Sequence, residues 1–480
     1  MQLASLFSRS GLFAPAGIVQ FLLVAGTLIL LLGSVAHVTA APLNETWSAT
    51  FGGPFAEGAS AVIPSGDGGY VIAGSTRSDV SVVSSDALLI NADSTGTTVW
   101  QWKFGGSVYD TAKSVSAVCG DGYIVSGTSR SFSPGGGQDA WLIRTGNNGT
   151  ERWNRSYGGW GTEYFNAVIP TTDGGFAATG TSDTFGSGLG DVYLVKTGPD
   201  GTEEWHTTFG GTKYDYGTSL QQLPDGGYIL AGTTYSLGQN ESNVYLARTD
   251  GTGQLIWQKT FGHNRLSFGN DLLVLSDGGF VVVGWTDPYP SPGRRSVYAV
   301  RTDRSGNIVW EKTPGDDRII SSGNSVAQTA DGGFVITGGS LGLFLVGLAA
   351  DGTTEWEKVI ARSPNDSGNA IEPAPGGGFI IGGSREQPGN NWDAYLVRVD
   401  PDAVLPIPVA LPGMTRLPTD PDGDGLYEDL NGNCAADFND VVLFFTYLEW
   451  IGENEPISLF DFNGNGQVDF ADITRLFEEL

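Results

Sequence analysis

The sequence predicts an all-β fold, a seven-bladed β-propeller, and three observations carry that prediction. One phrase returns along the chain as "DGGYVIAGS", "DGYIVSGTS", "DGGFAATGTS", "DGGYILAGTT", "DGGFVVVGW", "DGGFVITGG" and "GGGFIIGGS". Its aromatic residues, Tyr70, Tyr123, Phe176, Tyr228, Phe280, Phe334 and Phe379, are spaced by 53, 53, 52, 52, 54 and 45 residues. A near-fixed period of this length is the signature of a repeat architecture. The composition, with 72 Gly, 11% aromatic and only 16% charged residues, favours short strands and tight turns. Finally, the strand count is offset. A Trp strand, "TWSATFGG", precedes the first repeat, and the last repeat stops at "DAYLVRVD" without one.

Each unit reads as four strands. Strand a is apolar ("NAVIP"), and an Asp-Gly-Gly turn supplies the positive φ angles of a tight hairpin. Strand b is "YILAGTT", and a longer loop leads to strand c, such as "DVYLVKTG". A "DGT"-type turn then leads to strand d, marked by Trp100, Trp153, Trp205, Trp257, Trp310 or Trp356. Four-stranded units repeated radially make a propeller. The early strand with Trp47 then supplies the outer strand missing from the last blade, closing the ring without a free edge. The Trp and phrase aromatics read as packing between blades, and the Asp-Gly-Gly acids as turn residues.

Alternation of strands sorts the loops by face. The a–b and c–d turns are short and uniform. The b–c loops ("SFSPGGGQD", "DPYPSPGRR", "REQPGNN") and d–a loops ("GGSVYDTAKS", "GGWGTEYFNA", "GGTKYDYGTS") are long and varied. Variable loops on a rigid scaffold make that side the candidate binding face. Tyr109–Asp110, Glu163–Tyr164 and Tyr214–Asp215 recur there, rings and carboxylates able to stack on sugars and accept their hydroxyls.

Residues 1–40 read as a signal peptide or membrane anchor. Arg9 is followed by the apolar run "GIVQFLLVAGTLILLLGSVA", and Val38 and Ala40 suit cleavage after Ala40. The remainder is then secreted or displayed at the cell surface. Sequons at Asn44, Asn148, Asn154, Asn240 and Asn365 agree with export. Cys119 and Cys434 form no C-x-x-C pair, which excludes a zinc knuckle or disulfide framework and leaves one bridge or two thiols open. The net charge of −28 argues against nucleic-acid partners and favours cations.

No catalytic set emerges. His206 and His263 fall in or just after d strands, and no Ser-His-Asp or Cys-His arrangement, phosphate loop or H-E-x-x-H is present. A polysaccharide-degrading enzyme on the variable-loop face, a glycoside hydrolase or lyase, stands as the alternative to a binding protein.

After the propeller (44–400) comes a proline-punctuated linker (401–418) and an acidic module (419–480) with 15 Asp plus Glu against one Arg. It contains "DLNGNCAADFND" and "DFNGNGQVDFAD", each leading into an apolar helix pattern. Calcium takes six to eight oxygens, and a twelve-residue loop wraps them around one ion. The first loop offers Asp429, Asn431, Asn433, the Ala435 carbonyl, Asp437 and Asp440. The second offers Asp461, Asn463, Asn465, the Gln467 carbonyl, Asp469 and Asp472. Gly466 fills the sharp-turn place of the second loop, where the first has Cys434. Asp420, Asp422 and Asp424 form a further, incomplete acidic run. So much negative charge in a short segment couples its folding to calcium.

Paired loops with Asp at place 12, about thirty residues apart, resemble a type I dockerin. The likeness covers the last 60 or so of 480 residues. It implies calcium-dependent docking onto a cohesin-like or other envelope protein, in assemblies that often degrade polysaccharides, with a glycan as a possible ligand of the propeller face. Many dockerins carry a Ser-Thr-like pair at places 10 and 11, and here those places are Phe438–Asn439 and Phe470–Ala471. The whole arrangement also resembles exported repeat proteins of methanogenic archaea.

Overall fold

The computed structural model describes residues 43–53, 55–77, 84–133, 135–262, 266–287, 295–315, 321–339, 342–360, 363, 365–375, 377–387, 391–400, 411–412, 414, 418, 426–432, 436–455, 459–463 and 467–479. The expected signal or anchor therefore lies outside the described residues. No helix among the described residues is long and apolar enough to cross a membrane.

Strand β1 spans Asn44–Phe51. Five four-stranded antiparallel sheets follow in chain order. The first is β2–β5 (Glu57–Pro64, Tyr70–Arg77, Ser85–Ala92, Thr98–Phe104) and the second β6–β9 (Asp110–Val118, Gly122–Ser129, Asp139–Thr145, Glu151–Tyr157). The third is β10–β13 (Glu163–Pro170, Phe176–Ser182, Asp191–Thr197, Glu203–Phe209). The fourth is β14–β17 (Asp215–Gln222, Tyr228–Thr234, Asn243–Thr249, Leu255–Phe261) and the fifth β18–β21 (Ser267–Val274, Phe280–Thr286, Ser296–Thr302, Ile308–Lys312). An eight-stranded sheet holds two further groups. These are β22–β25 (Ser322–Gln328, Phe334–Gly339, Leu343–Leu348, Thr354–Val359) and β26–β28 (Ser367–Pro373, Phe379–Gln387, Asn391–Asp400), linked by one pair, Gly339 with Ser367. Strand β1 pairs antiparallel with β28, from Asn44 opposite Asp400 to Phe51 opposite Ala394. The first strands of successive groups neighbour one another all the way round, β26 meeting β2. This is an all-β, propeller-like fold.

Its regularity follows from the repeated residues. In the c–d turns Gly201 has φ +78°, and an added Cβ would stand 2.7 Å from the Trp153 ring of the preceding group; Gly96, Gly149, Gly253, Gly306 and Gly352 repeat this against Trp47, Trp100, Trp205, Trp257 and Trp310. The "DGT" glycine therefore serves both the left-handed turn and the seat of a neighbouring indole. Each indole also meets the phrase aromatic of the next group, as Trp153 meets Phe176 at 5.9 Å and Trp205 meets Tyr228 at 6.0 Å. The Asp-Gly-Gly acids hold the a–b turn, where Asp173 accepts from the Gly175 N–H at 3.1 Å, and they pair with a cation on strand c. Those ion pairs are Asp121–Arg144, Asp173–Lys196, Asp225–Arg248 and Asp277–Arg301.

The first strand of every group bulges at one residue: Ser60, Lys113, Asn166, Thr218, Asn270, Asn324 and Asn369. Opposite each bulge stands the glycine of the phrase (Gly74, Gly127, Gly180, Gly232, Gly284, Gly338, Gly383), because a Cβ there would run into the carbonyl of the bulged strand. Five bulged side chains donate across to a carbonyl of the next group: Asn166 to Gly217, Thr218 to Gly269, Asn270 to Gly323, Asn324 to Gly368 and Asn369 to Ala59. These bonds form a belt near the axis. Apolar clusters fill the gaps between groups, and one sets Phe51, Ile380 and Leu396 from the end of the ring against Val62, Tyr70 and Leu88 from its start. Fully burying one such side chain contributes about 1.5–3 kcal/mol.

Two helices follow, α1 (Phe438–Asn454) and α2 (Phe470–Glu479). They share their own apolar core, built on Leu430, Phe444, Ile451, Phe460 and Leu476. Cys119 is disulfide-bonded; Cys434, the other cysteine of the chain, lies outside the described residues.

Candidate functional site

The two acidic loops close in the same way. At place 12, Asp440 Oδ1 accepts from the backbone N–H of Asn431 (3.2 Å) and its amide (2.7 Å), while Oδ2 accepts from the Asp437 N–H at 2.9 Å. Asp472 Oδ1 accepts from the Asn463 N–H (3.0 Å) and amide (2.6 Å), and Oδ2 from the Asp469 N–H at 2.7 Å. Both place-12 carboxylates are fully buried. The place-9 acids cap the helices: Asp437 accepts from the Asn439 N–H at 2.6 Å and Asp469 from the Ala471 N–H at 2.7 Å. Asp437 and Asp440 together form a capping box at the start of α1. Just before the loops, the Tyr427 N–H donates to the Leu459 carbonyl at 3.1 Å.

Each loop therefore brings places 3, 9 and 12 together. Asp429 is buried as well, and Asp461 is half-buried. Asn433, Ala435, Asn465, Cys434, Gly466 and Asp420–Asp424 lie outside the described residues. Among the described residues no three His, Cys, Asp or Glu side chains form a metal-holding group. Electrostatically the first loop crowds carboxylates around Asp440. Burial raises Asp440 above the ordinary carboxylate range, N–H donors from Asp437 and Asn431 pull it back, and the charges of Asp429 and Asp437 push it up again.

Beyond the loops the helices leave an aromatic surface uncovered. Phe438, Val442 and Phe445 of α1 and Phe470 and Phe477 of α2 are all exposed. Their rings meet crosswise, Phe438 with Phe477 and Phe445 with Phe470, each at 6.2 Å. Phe438 and Phe470 occupy place 10 of their loops, and Phe445 and Phe477 stand one heptad later. The repeat in the sequence thus becomes a two-fold-like quartet.

On the long-loop edge of the ring, the three acids paired with tyrosines in sequence turn inward. Asp110, Glu163 and Asp215 are buried. Asp110 accepts from the Gly106 N–H (2.9 Å) and the Ser131 hydroxyl (2.5 Å). Glu163 accepts from the Gly159 N–H (3.0 Å) and the Ser182 hydroxyl (2.9 Å), and Asp215 from the Gly211 N–H (2.9 Å) and the Ser236 hydroxyl (2.7 Å). They brace the d–a loop against the b–c loop and have no oxygen directed at a ligand. The rings remain outside, with Tyr109 and Tyr214 exposed and Trp160 88% exposed.

Near the axis, Asp271 accepts from Ser219 (3.0 Å), Ser325 (2.7 Å) and the N–H groups of Leu272 (2.8 Å) and Val326 (3.1 Å), clasping three consecutive groups. Burial, and then the charge of Asp271, pushes Glu372 up to about 8. Neither carboxylate was foreshadowed in the repeat phrase, since the other groups carry only uncharged residues at both places. His206 packs on Phe185 (4.7 Å) and bonds Glu203 (2.6 Å), a packing role.

The strand pairing and the closed circuit of first strands define the class: an all-β, propeller-like repeat protein. No family model and no curated protein matches the chain. Among solved structures it is similar to the WD40 β-propeller domain of Doa1, at 11% identity over 74% of this chain and 96% of that one, with a TM-score of 0.45. It is also similar to the WD40 domain of Neurospora crassa Pan2, at 10% identity over 74% and 96%, with a TM-score of 0.49.

Proposed function

We propose that this is an exported binding or scaffolding protein. In this reading a seven-bladed propeller presents a ligand on its long-loop edge, and a calcium-dependent, dockerin-like module docks the chain to a partner. The observation that carries it is the identical closure of two loops, 32 residues apart, on the buried carboxylates of Asp440 and Asp472. Twelve-residue loops rich in Asp and Asn suit a hard cation with oxygen ligands. Asp429, Asn431, Asn433, the Ala435 carbonyl, Asp437 and Asp440 would hold one ion. Asp461, Asn463, Asn465, the Gln467 carbonyl, Asp469 and Asp472 would hold the second.

The exposed phenylalanine quartet supports docking, because uncovered aromatic clusters mark interaction surfaces. Phenylalanine at place 10 points to an apolar partner surface in place of the hydroxyl-mediated contact of many dockerins. The surrounding segment carries a single Arg against 15 acids, so the partner's rim is basic. Calcium titration of the full chain by calorimetry tests the reading. Two bound ions per chain are expected, with one lost in Asp440→Ala and one in Asp472→Ala. An absence of saturable binding would sink it.

A further inference from the structure

We infer that the junction of the third and fourth sheets forms a binding site for a neutral sugar, made by Tyr164, Asp183, Tyr214, Tyr216 and Tyr235. This rests on the reading of the long-loop edge as a ligand face and names its ligand and subsite.

The first argument is asymmetry within the repeat. One position, preceding the bulge by two residues, is Gly58, Thr111, Tyr164, Tyr216, Phe268, Ser322 and Ser367 around the ring. Every group builds the same bulge with a glycine opposite it, so the fold does not require a ring at this place. Three consecutive groups nevertheless carry one. From Tyr216 the rings continue to Tyr235 (6.2 Å), then Phe268 (5.9 Å) and Trp285 (4.1 Å). At the outer end Tyr214, 42% exposed, lies parallel on Tyr216 with centroids 6.1 Å apart. That stacking leaves Tyr214 a single open face, a flat platform rather than a cage of rings.

The second argument is the carboxylate beside it. Asp183 is exposed and, among the described residues, its side chain enters no hydrogen bond or ion pair. Its Oδ1 and the Tyr214 Cδ1 lie 2.9 and 3.1 Å from where a β-carbon of Gly190 would stand, so that glycine leaves the floor between them bare. Partial desolvation by its neighbours, with the charge of Glu163 behind it, holds the exposed Asp183 above the usual carboxylate range. Burial also pushes the Tyr216 phenol up to about 12, helped by Tyr164, Tyr235, Tyr214 and Asp183, so it is a hydroxyl donor at neutral pH.

A pyranose has an apolar C–H face and a rim of hydroxyls. The first matches the open Tyr214 ring, and the second matches an unpaired carboxylate flanked by phenols. An anionic ligand meets the Asp183 charge, and a purely apolar one leaves that carboxylate desolvated without a partner.

The test is calorimetric titration of the full chain with cellohexaose, mannohexaose and xylohexaose, with hexagalacturonate and choline as charged probes. A neutral hexasaccharide should bind saturably. Tyr214→Ala should weaken it by about 10-fold or more and Asp183→Asn by about 5-fold, while Trp160→Ala, on the same edge outside the site, leaves it unchanged. Sugar binding that survives both site substitutions overturns this site and leaves the ligand face standing. Binding of choline or hexagalacturonate alone, or of none of the probes, overturns the assignment to neutral sugars. Calcium binding by the C-terminal module reports on the docking reading independently of either result.

Discussion

Residues 44–400 bury seven apolar clusters between neighbouring strand groups, whereas residues 411–479 bury one, and the acids are arranged accordingly. In the ring a turn acid finds a cation on the adjacent strand, as Asp173 finds Lys196 and Asp277 finds Arg301. In the C-terminal segment the acids far outnumber the basic residues, which are Arg416 and Arg475. The first region is held by contacts made wholly within the protein. The second gathers negative charge with few basic side chains to offset it. The proposed function makes a contrast of this: a scaffold that does not depend on added ions beside a module that does.

The largest effect that would break this contrast is chelation. With EDTA, limited proteolysis of the full chain should remove the segment after residue 410 and leave the ring intact. Equal protease resistance with and without calcium would show that the two regions do not differ.

Next is a change inside the ring. Gly201→Ala forces a side chain into a left-handed turn and against Trp153, and should cost about 3 kcal/mol by denaturant unfolding. The loss should be the same with or without calcium.

A smaller effect is pH-dependent. Glu372 rises from 4.5 to about 8 in the fold, so the folded chain holds a proton that the unfolded chain has lost. Its contribution therefore falls as pH rises from about 4.5 to about 8 and is least favourable above that window. Because the side chain is only half-buried, Glu372→Gln should stabilise the ring by about 1–2 kcal/mol at pH 9 and be neutral near pH 4. An equal shift at both pH values would refute the assignment.

The smallest stability effect should accompany a complete functional one. Phe445 and Phe470 are exposed, so changing both to Ser should leave unfolding within about 0.5 kcal/mol of the parent. The docking proposal expects the parent to bind an immobilised cohesin-like module in calcium and this variant to lose that binding. Retained binding would move the docking surface away from the quartet.

Much of the fold was legible because its signals are local. Hairpin glycines, alternating apolar strands and a Trp strand left over at the front were enough to place β1 beside β28. The two C-terminal helices were legible for the same reason, as the residues just before each one supply its cap. The acids beside Tyr109, Tyr164 and Tyr214 read in sequence as able to accept a sugar's hydroxyls, whereas the structure turns them onto the protein's own groups. Their partners, the Ser131, Ser182 and Ser236 hydroxyls, lie about twenty residues away, at the end of the second strand or just after it.

By itself, then, the sequence determined the strand repeat, the turns and the spacing of the acids in the two C-terminal loops, all fixed by chemistry within one unit. Tertiary structure decided what the units share: the belt from Asn166 to Gly217 and onward, the crossed phenylalanines, and Asp183 beside Tyr214. The physical reason is that each of these joins residues from different units. Only the curvature of the closed ring and the pairing of α1 with α2 set the distances between them.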